Sequence, residues 1–332
     1  MKNFPLVSIA LATYNGEKFL KAQLESIYAQ TYKNIEVVVT DDCSDDRTLE
    51  ILEQYREQHG LKYYQNDTNL GVVKNFERAI SFCRGEYIAL ADQDDIWLDN
   101  KIELLVNHIG NSSMIFTDAK LIDEKGNVIQ KSFHESTKEY IPTVDAYNYL
   151  LHKNFVTGCT VLFDKNIIKG KLSIPEKLFL HDHWLALLAT QYNGVKYVKQ
   201  QLILYRQHEN NLVGSNINRK KNPGISFSFI KDKFKDLRNI EANHHEKMQY
   251  ERLKHIGINH LYKNSDEQIF LKELIDYYEF RFGIKNSFRA ALNTNKYIKY
   301  DQHLQNTKSY RLLRLLKSLY IYIVNMNKSG RA

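Results

Sequence analysis

The 332-residue sequence contains little cysteine, proline or glycine and no long apolar run. Its three cysteines, Cys43, Cys83 and Cys159, form no Cys-x-x-Cys pair, which argues against a disulfide scaffold or a thiolate zinc site and favours a reducing compartment. Four prolines and 14 glycines exclude collagen-like and linker-like chains. No uncharged apolar stretch reaches the ~18 residues of a membrane-spanning helix, and no secretory signal precedes Val7, so we expect a cytoplasmic protein.

Two common phosphate-binding motifs are also missing. The turn after the first apolar run, residues 12–17, contains neither Gly-x-Gly-x-x-Gly nor a Walker lysine. Hydride-transfer cofactors and P-loop phosphate binding therefore have no support in the sequence. With 43% hydrophobic and 26% charged residues the chain can still bury a sizeable core, which excludes wholesale disorder.

Charge is distributed unevenly along the chain. Residues 1–215 hold 23 Lys and Arg against 28 Asp and Glu, whereas residues 216–332 hold 23 against 11. An acidic site for a metal and a basic surface for an anionic partner can coexist in such a chain, although a solvated helical face explains the same basic excess. Because the stretch Gly214–Gly224 is polar and rich in turn residues, we predict two regions, 1–215 and 216–332.

The first hundred residues alternate between strand-like and helix-like patterns. The predicted strands are residues 7–11, 35–40, 61–65 and 86–91, and the predicted helices are residues 17–30, 48–58 and 72–83. Near-continuous apolar strands joined by helices are typical of a parallel sheet covered on both faces. We therefore predict an α/β fold with a Rossmann-like, mostly parallel sheet flanked by helices.

The pattern after residue 95 is less regular. Strands are predicted at residues 114–117, 156–163, 195–198 and 202–205, a hairpin turn at residues 124–127 and a helix from residue 181 to near residue 194. Beyond Gly224 we predict helices only, the last over residues 311–325 with one apolar stripe. That stripe is typical of an interfacial membrane helix and equally of a helix that packs on the rest of the protein.

Polar residues cluster where the predicted strands end, which is where parallel α/β sheets bind ligands. Asp92 and Asp94, separated by Gln93, follow the fourth strand. Two carboxylates so placed suit Mg²⁺ or Mn²⁺, which neutralises charge on a departing diphosphate. An acidic turn explains the same residues, but their position at the sheet edge favours the metal. Asp42, after the second strand, can accept a hydrogen bond from a uracil or thymine imide or from a ribose hydroxyl, while residues 44–46 cap the next helix.

Four residues further along the chain have the chemistry of a transfer site. Asp182 is a candidate general base with Trp184 as a flat wall for a sugar ring, and a helix N-cap is the alternative for Asp182. Arg206 is a candidate diphosphate clamp, and His208 is a candidate metal or phosphate ligand. A polar loop that caps the sheet explains Arg206 or His208 taken singly.

These segments resemble the motifs of family 2 glycosyltransferases of the GT-A fold. The similarity covers about residues 5–215 and is carried by VSIALATYNGEKFLKAQLESIYAQTY, VVVTDDCSDDRT, NLGVVKNFERAI and GEYIALADQDDIWLDNK. The phrases TGCTVLF, HDHWLALLA and LYRQHENNLVG resemble a bacterial rhamnosyltransferase-like subgroup that builds cell-wall and capsular polysaccharides. The resemblance implies inverting, metal-dependent transfer of a sugar from dTDP-rhamnose or a UDP-sugar to a saccharide acceptor.

The resemblance also implies roles for particular residues. Nucleotide and donor contacts are implied for Ala12, Thr13, Tyr14, Asn15, Glu17, Asp42, Lys74, Asp92 and Gln93. Asp94, with Asp92 beside it, is implied to bind Mg²⁺ or Mn²⁺, and Asp182 is implied to be the catalytic base. The acceptor and diphosphate side is implied to hold Thr157, Gly158, His181, Trp184, Arg206 and His208. The sequence departs from the family pattern at three positions: Cys43 replaces Gly or Asn, Lys74 stands near a phosphate-side Arg, and His181 replaces the Glu of many relatives.

An acceptor on a lipid carrier would explain a basic C-terminal region, residues 216–332, that lies on the anionic inner face of the cell membrane. No nucleic-acid partner is expected. Two other functions stay open at this point. A sugar-nucleotide nucleotidyltransferase shares the sheet and the carboxylates but needs a Gly-rich, basic loop after the first strand, which Ala12–Gly16 is not. A basic nucleic-acid-binding protein would use the C-terminal lysines and tyrosines but leaves the acidic cluster unexplained.

Overall fold

The computed structural model describes residues 4–137, 140–142, 145–209 and 244–281, except for the side chains of residues 244–246 and 280–281. The strands in these ranges are β1 (Val7–Thr13), β2 (Ile35–Asp41), β3 (Lys62–Gln65), β4 (Tyr87–Ala91), β5 (Ile96–Trp97), β6 (Met114–Ile122), β7 (Val128–Gln130), β8 (Leu162–Asp164) and β9 (Val195–Arg206). The helices are α1 (Leu20–Tyr28), α2 (Thr48–His59), α3 (Val72–Phe82), α4 (Lys101–Ile109), α5 (Phe133–Thr137), α6 (Ala146–Leu150), α7 (His181–Thr190), α8 (His244–Ile258) and α9 (Ser265–Arg281). Two 3-10 helices cover Gly158–Thr160 and Lys165–Ile168.

One sheet of nine strands organises the described residues, in the order β3-β2-β1-β4-β8-β6-β9-β5 with β7 paired to β6. The first four strands in this order are parallel, as predicted. Beyond β4 the sheet is mixed, because β8 runs antiparallel to both β4 and β6, whereas β9 runs parallel to β6. The α/β fold class is confirmed, and the carboxyl ends of β1, β2 and β4 open on the same edge of the sheet.

The central strands β1 and β4 consist mainly of apolar residues because both of their faces are buried. Val7, Ile9 and Leu11 of β1 have no exposed surface and belong to the main hydrophobic core. Helix α2 ends where predicted, at Gly60, which adopts a left-handed conformation with φ of 71°. A side chain other than glycine would be strained there.

The second half of the chain differs from the predicted elements in three places. Of the predicted strand 156–163, only Leu162 and Phe163 pair with the sheet, as part of β8, since Gly158–Thr160 forms a 3-10 turn. The two strands predicted over residues 195–205 are one strand, β9, whose pairing with β6 shifts register between Thr117 and Asp118. Helix α4 follows β5 and begins at Lys101, where no helix was predicted.

The chain divides into two compact units, residues 1–146 with 154–217 and residues 147–153 with 218–332. In the second unit α8 packs on α9, with Leu253, Ile256, Leu271 and Leu274 buried. The boundary predicted at residue 215 and the helix predicted over residues 311–325 lie outside the described residues. Within the described ranges, no helix combines the length and the apolar character needed to cross a membrane.

Candidate functional site

Two loops at the carboxyl ends of β1 and β2 are joined by hydrogen bonds. The main-chain N–H of Asn15 donates to Ser44 Oγ (2.9 Å), and Asn15 Oδ1 accepts a bond from the N–H of Asp45 (3.0 Å). Asp46 accepts the N–H groups of Glu17 (3.0 Å) and Thr48 (2.9 Å), so this carboxylate satisfies an open amide at the start of α2, as expected. These bonds hold the predicted nucleotide-contact residues of the first loop in one arrangement.

Gln93 ties the first loop to the end of β4. Its side-chain amide accepts the N–H of Tyr14 and donates to the carbonyl of Tyr14, both at 2.9 Å. A Cβ atom on Gly16 would lie 2.8 Å from the amide carbon of Gln93, so the approach requires glycine at that position. Gln93 is therefore a structural link between two loops, and its predicted contact with the donor stays a prediction.

Asp42 orders the loop that leads into α3. Only 3% of its surface is exposed, and its carboxylate accepts three hydrogen bonds, from Asn66 Nδ2 (2.7 Å) and from the N–H groups of Leu70 (2.7 Å) and Gly71 (2.8 Å). The loop 69–71 is thereby held beside the end of β2. The predicted contact of Asp42 with a nucleotide stays a prediction.

Asp94 and His208 form a polar pair at the mouth of the site. His208 Nε2 lies 2.7 Å from Asp94 Oδ2, and each side chain is 14% exposed. A carboxylate oxygen and an imidazole nitrogen that converge in this way are both ligands for Mn²⁺, and the carboxylate is a ligand for Mg²⁺. The sequence placed these two residues far apart, and the sheet brings them into contact.

Arg206 holds the main chain around Asp94. Its Nε donates to the carbonyl of Asp94 (2.8 Å), and its Nη1 donates to the carbonyls of Asp123 (3.1 Å) and Glu124 (3.0 Å). Only 4% of the Arg206 surface is exposed. The structure thus shows a positioning role for Arg206, rather than the open cation expected of a diphosphate clamp.

A buried group of charges lies behind the Asp92–Asp94 segment. The ligand atoms of Asp92, Asp95 and Cys159 lie within 4.8 Å of one another. Lys101 has no exposed surface, donates to the carbonyl of Cys159 (2.7 Å) and lies 3.2 Å from the centre of the Trp97 ring. Burial lowers the pKa of Lys101 to about 7, an effect that the neighbouring Cys159 and carboxylates oppose.

Sequence reasoning missed Asp95 and Lys101. An aspartate in an acidic run and a lysine at a helix start both look like surface residues, and both are completely buried. Asp95 Oδ1 accepts the N–H of Arg206 (3.0 Å). Since Lys101 supplies a positive charge and Cys159 a thiol that Mg²⁺ and Mn²⁺ do not favour, the Asp94–His208 pair fits such an ion better than this buried group.

The predicted base, Asp182, lies beside Gly158. It lies in the first turn of α7, and burial raises its pKa to about 6 against hydrogen bonds from the N–H of His183 (2.7 Å), from Asn154 and from the N–H of Gly158. Burial also raises the pKa of Asp92 to about 7, with further contributions from the charges of Asp94 and Asp182. The charges of Asp94 and Asp182 thus both act on Asp92, and the roles of these residues as base and metal ligands stay predictions.

Gly158 lies beside Asp182, and its predicted place on the acceptor side stays a prediction. A Cβ atom added to Gly158 would lie 3.0 Å from His181 Nε2 and 3.4 Å from the Cβ of Asp182. His181 stacks on Phe76 with ring centres 4.0 Å apart, and burial lowers its pKa to about 3, so it is neutral near pH 7. Thr157 precedes this turn and is half-buried, with its carbonyl accepting the N–H of Thr160 (3.0 Å).

Two predicted contacts are occupied by other parts of the protein. Trp184 is 4% exposed, packs on Phe179 and donates from Nε1 to the carbonyl of Lys171 (3.3 Å), so it is a core residue and not the flat wall that was expected for a sugar. Lys74 Nζ donates to Glu77 (2.8 Å) and to the carbonyl of Ile174 (3.1 Å). These contacts place Lys74 in a link between α3 and the segment before α7.

Comparison with known proteins identifies the family. The sequence profile described as Glycosyl transferase family 2 matches residues 8–169. The dTDP-rhamnosyl transferase RfbG of Shigella flexneri is 32% identical over 228 residues, which cover 63% of this chain and 75% of RfbG. This chain is a family 2 glycosyltransferase.

Other relatives of the glycosyltransferase agree with this assignment. The Escherichia coli protein WfgD, a UDP-Glc:alpha-D-GlcNAc-diphosphoundecaprenol beta-1,3-glucosyltransferase, is 31% identical over 190 residues, which cover 55% of this chain and 70% of WfgD. The crystal structure of S. aureus TarS 1-349 in complex with UDP-GlcNAc aligns with a TM-score of 0.57 at 19% identity, covering 98% of this chain and 92% of TarS 1-349. The glycosyltransferase therefore has the GT-A fold that its motifs predicted.

Proposed function

We propose that this glycosyltransferase transfers a sugar from a nucleoside-diphosphate donor to a hydroxyl of a saccharide acceptor, with inversion at the anomeric carbon and Asp182 as the base. The observation that carries the proposal is the Gly158–Thr160 turn, in which Gly158 lies beside Asp182 and the Cys159 sulfur lies within 4.8 Å of an Asp92 oxygen. It supports a single site with a base on one side and the diphosphate-binding carboxylates on the other. A pKa of about 6 leaves Asp182 ionised near pH 7 and still basic enough to take a proton.

In the proposed reaction, Asp182 accepts the proton of the acceptor hydroxyl as its oxygen attacks the anomeric carbon. The bond from that carbon to the diphosphate oxygen breaks on the opposite face, and the nucleoside diphosphate leaves. The N–H groups of His183 and Gly158 hold the Asp182 carboxylate in place, so that little reorganisation is needed for proton transfer.

Asp94 and His208, with Asp92 beside them, would hold a Mg²⁺ or Mn²⁺ ion. The ion, when bound, supplies positive charge to the departing diphosphate. Arg206 keeps the main chain of Asp94 fixed through three carbonyl groups, which favours a preformed ligand position. The charge of the buried Lys101 acts on Asp95 and Asp92, which flank this segment.

For the donor we propose dTDP-rhamnose or a UDP-hexose, and for the acceptor a lipid-linked saccharide of bacterial cell-surface polysaccharide synthesis. The names of two relatives support this choice, since RfbG is a dTDP-rhamnosyl transferase and WfgD is named for a UDP-Glc donor and a diphosphoundecaprenol-linked acceptor. The structure of TarS with UDP-GlcNAc supports a UDP-sugar in a site of this fold.

A thermal-shift panel tests the donor. Binding to the native state raises the melting temperature by mass action, so the correct nucleotide-sugar with Mn²⁺ is expected to give a larger increase than other nucleotide-sugars at equal concentration. Release of the matching nucleoside diphosphate on addition of a lipid-linked saccharide checks transfer. Equal shifts for dTDP-, UDP- and GDP-sugars, or none, would contradict the proposal.

We also propose that the C-terminal region associates peripherally with an anionic membrane surface. Residues 282–332 hold ten Lys and Arg against one Asp, and such an excess favours negatively charged lipid. At low salt the full chain is expected to float together with phosphatidylglycerol vesicles. With neutral vesicles it is expected to remain in the bottom fraction of the gradient. A chain that ends at Arg281 is the comparison, and equal flotation of the two chains would contradict the idea.

A further inference from the structure

The His208 side chain lies against an aromatic ring that the proposed reaction does not use. Phe19 immediately precedes α1 and is half-buried. Its ring centre is 5.4 Å from that of His208, with the two planes at 27°, so the rings are stacked. The Arg206 guanidinium carbon is 4.6 Å from the centre of the same Phe19 ring.

We infer that Phe19 is a positioning residue that orients the His208 imidazole toward Asp94. The inference rests on the proposed function, because it concerns the pair proposed to bind the divalent cation. Stacking restricts the plane of the imidazole, and the 2.7 Å contact of Nε2 with Asp94 Oδ2 restricts its rotation within that plane. Together these two contacts fix the direction in which the Nε2 atom of His208 points.

The position of Phe19 explains how its ring can orient the His208 imidazole. Arg206 is the last residue of β9 and His208 follows it by two positions, and both side chains contact the same Phe19 ring. Arg206 is immobilised by three main-chain carbonyls, and Phe19 is anchored by the first turn of α1, where Gln23 N–H donates to the Phe19 carbonyl (3.2 Å). The Phe19 ring therefore contacts both the fixed guanidinium of Arg206 and the imidazole of His208.

A flat ring is needed for this role, and apolar volume alone is not enough. An imidazole stacks on the face of an aromatic ring, whereas a branched aliphatic side chain allows several imidazole orientations. Groups that orient a metal ligand typically change metal affinity by about 10- to 100-fold when they are removed. Phe19→Leu keeps an apolar side chain before α1 but removes the flat aromatic ring on which His208 stacks. Phe19→Tyr keeps that ring.

The test measures Mn²⁺ affinity by electron paramagnetic resonance of free Mn²⁺, with the full chain and a saturating nucleoside diphosphate. Phe19→Leu is expected to weaken Mn²⁺ binding about tenfold, while Phe19→Tyr keeps it within about twofold of the unmodified chain. Phe82→Leu is the matched control, because Phe82 stacks on Tyr64 and contacts Arg78 away from this pair. Nucleoside-diphosphate affinity without metal is expected to be unchanged in all variants.

A double-mutant cycle with His208→Ala separates positioning from a general structural effect. If Phe19 acts through His208, then Phe19→Leu has no further effect on Mn²⁺ affinity once His208 is absent. Additive losses would overturn the inference and leave the metal site intact. An unchanged Mn²⁺ affinity in His208→Ala itself would contradict the proposed ligand pair, so the two failures are distinguishable. A Phe19→Leu chain that binds Mn²⁺ as tightly as the unmodified chain also overturns the inference.

Discussion

Replacement of Asp182 by asparagine is expected to lower the rate of sugar transfer by about 10³, within the range typical for the loss of a general base. Asparagine keeps an oxygen that accepts the N–H of His183, so the start of α7 is expected to persist. The loss should therefore fall on kcat, with the melting temperature and the affinity for the donor nucleotide nearly unchanged. Initial rates of nucleoside-diphosphate release measure it.

The matched control is Glu176→Gln, which changes an exposed carboxylate in the segment before α7. It is expected to keep the rate of the unmodified enzyme. A second readout is the pH profile: because burial raises the pKa of Asp182 to about 6, kcat/KM should fall about tenfold per pH unit below that value, as the base takes up a proton. If the Asp182→Asn variant had the same turnover rate as the unmodified enzyme, another group would have to remove the proton.

Replacement of Asp94 by asparagine is expected to reduce transfer by about 10³ and to weaken Mn²⁺ binding, since a neutral amide is a poorer ligand than a carboxylate. Arg206 bonds to the main-chain carbonyl of Asp94, so the substitution leaves that hydrogen bond in place. The measurements are the transfer rate as a function of Mn²⁺ concentration and the direct Mn²⁺ affinity. Removal of metal by EDTA should abolish transfer by the unmodified enzyme.

Asp99→Asn provides the comparison for Asp94, because Asp99 is an exposed carboxylate close in the sequence. It is expected to leave both measurements unchanged. If Asp94→Asn kept the full rate, or if transfer continued undiminished in EDTA, the divalent cation would have no place in the reaction. A retained rate in Asp182→Asn leaves that question open, so the two substitutions test separate parts of the site.

The family and the first half of the sheet were predictable because they depend on local patterns. Apolar, β-branched runs such as Ile35–Thr40 form buried parallel strands wherever helices cover both faces, and polar residues then collect at the carboxyl ends. Asp92 and Asp94 could be placed at that edge from their order along the chain alone.

Other residues could not be placed because their environment comes from distant segments. Trp184 follows a candidate base, a suitable place for an aromatic wall, but Phe179 and Lys171 bury it in the core. Arg206 has the chemistry of a phosphate clamp, but three carbonyls occupy its guanidinium. Lys101 has the polarity of a surface residue, but the ring of Trp97 and the carbonyl of Cys159 surround its ammonium group. Whether a polar side chain is open to a ligand or is occupied by other protein groups depends on partners that lie far away in the sequence.

By itself, the sequence determined the α/β class, the edge of the sheet at which the polar residues collect and the set of acidic residues there, since each follows from short-range periodicity and strand order. Only the tertiary structure decided which side chains meet: Asp94 with His208, and Phe19 with His208. The physical reason is that electrostatic and stacking interactions act over a few ångströms of space. The mixed strands beyond β4 bring those side chains within that range from distant parts of the chain.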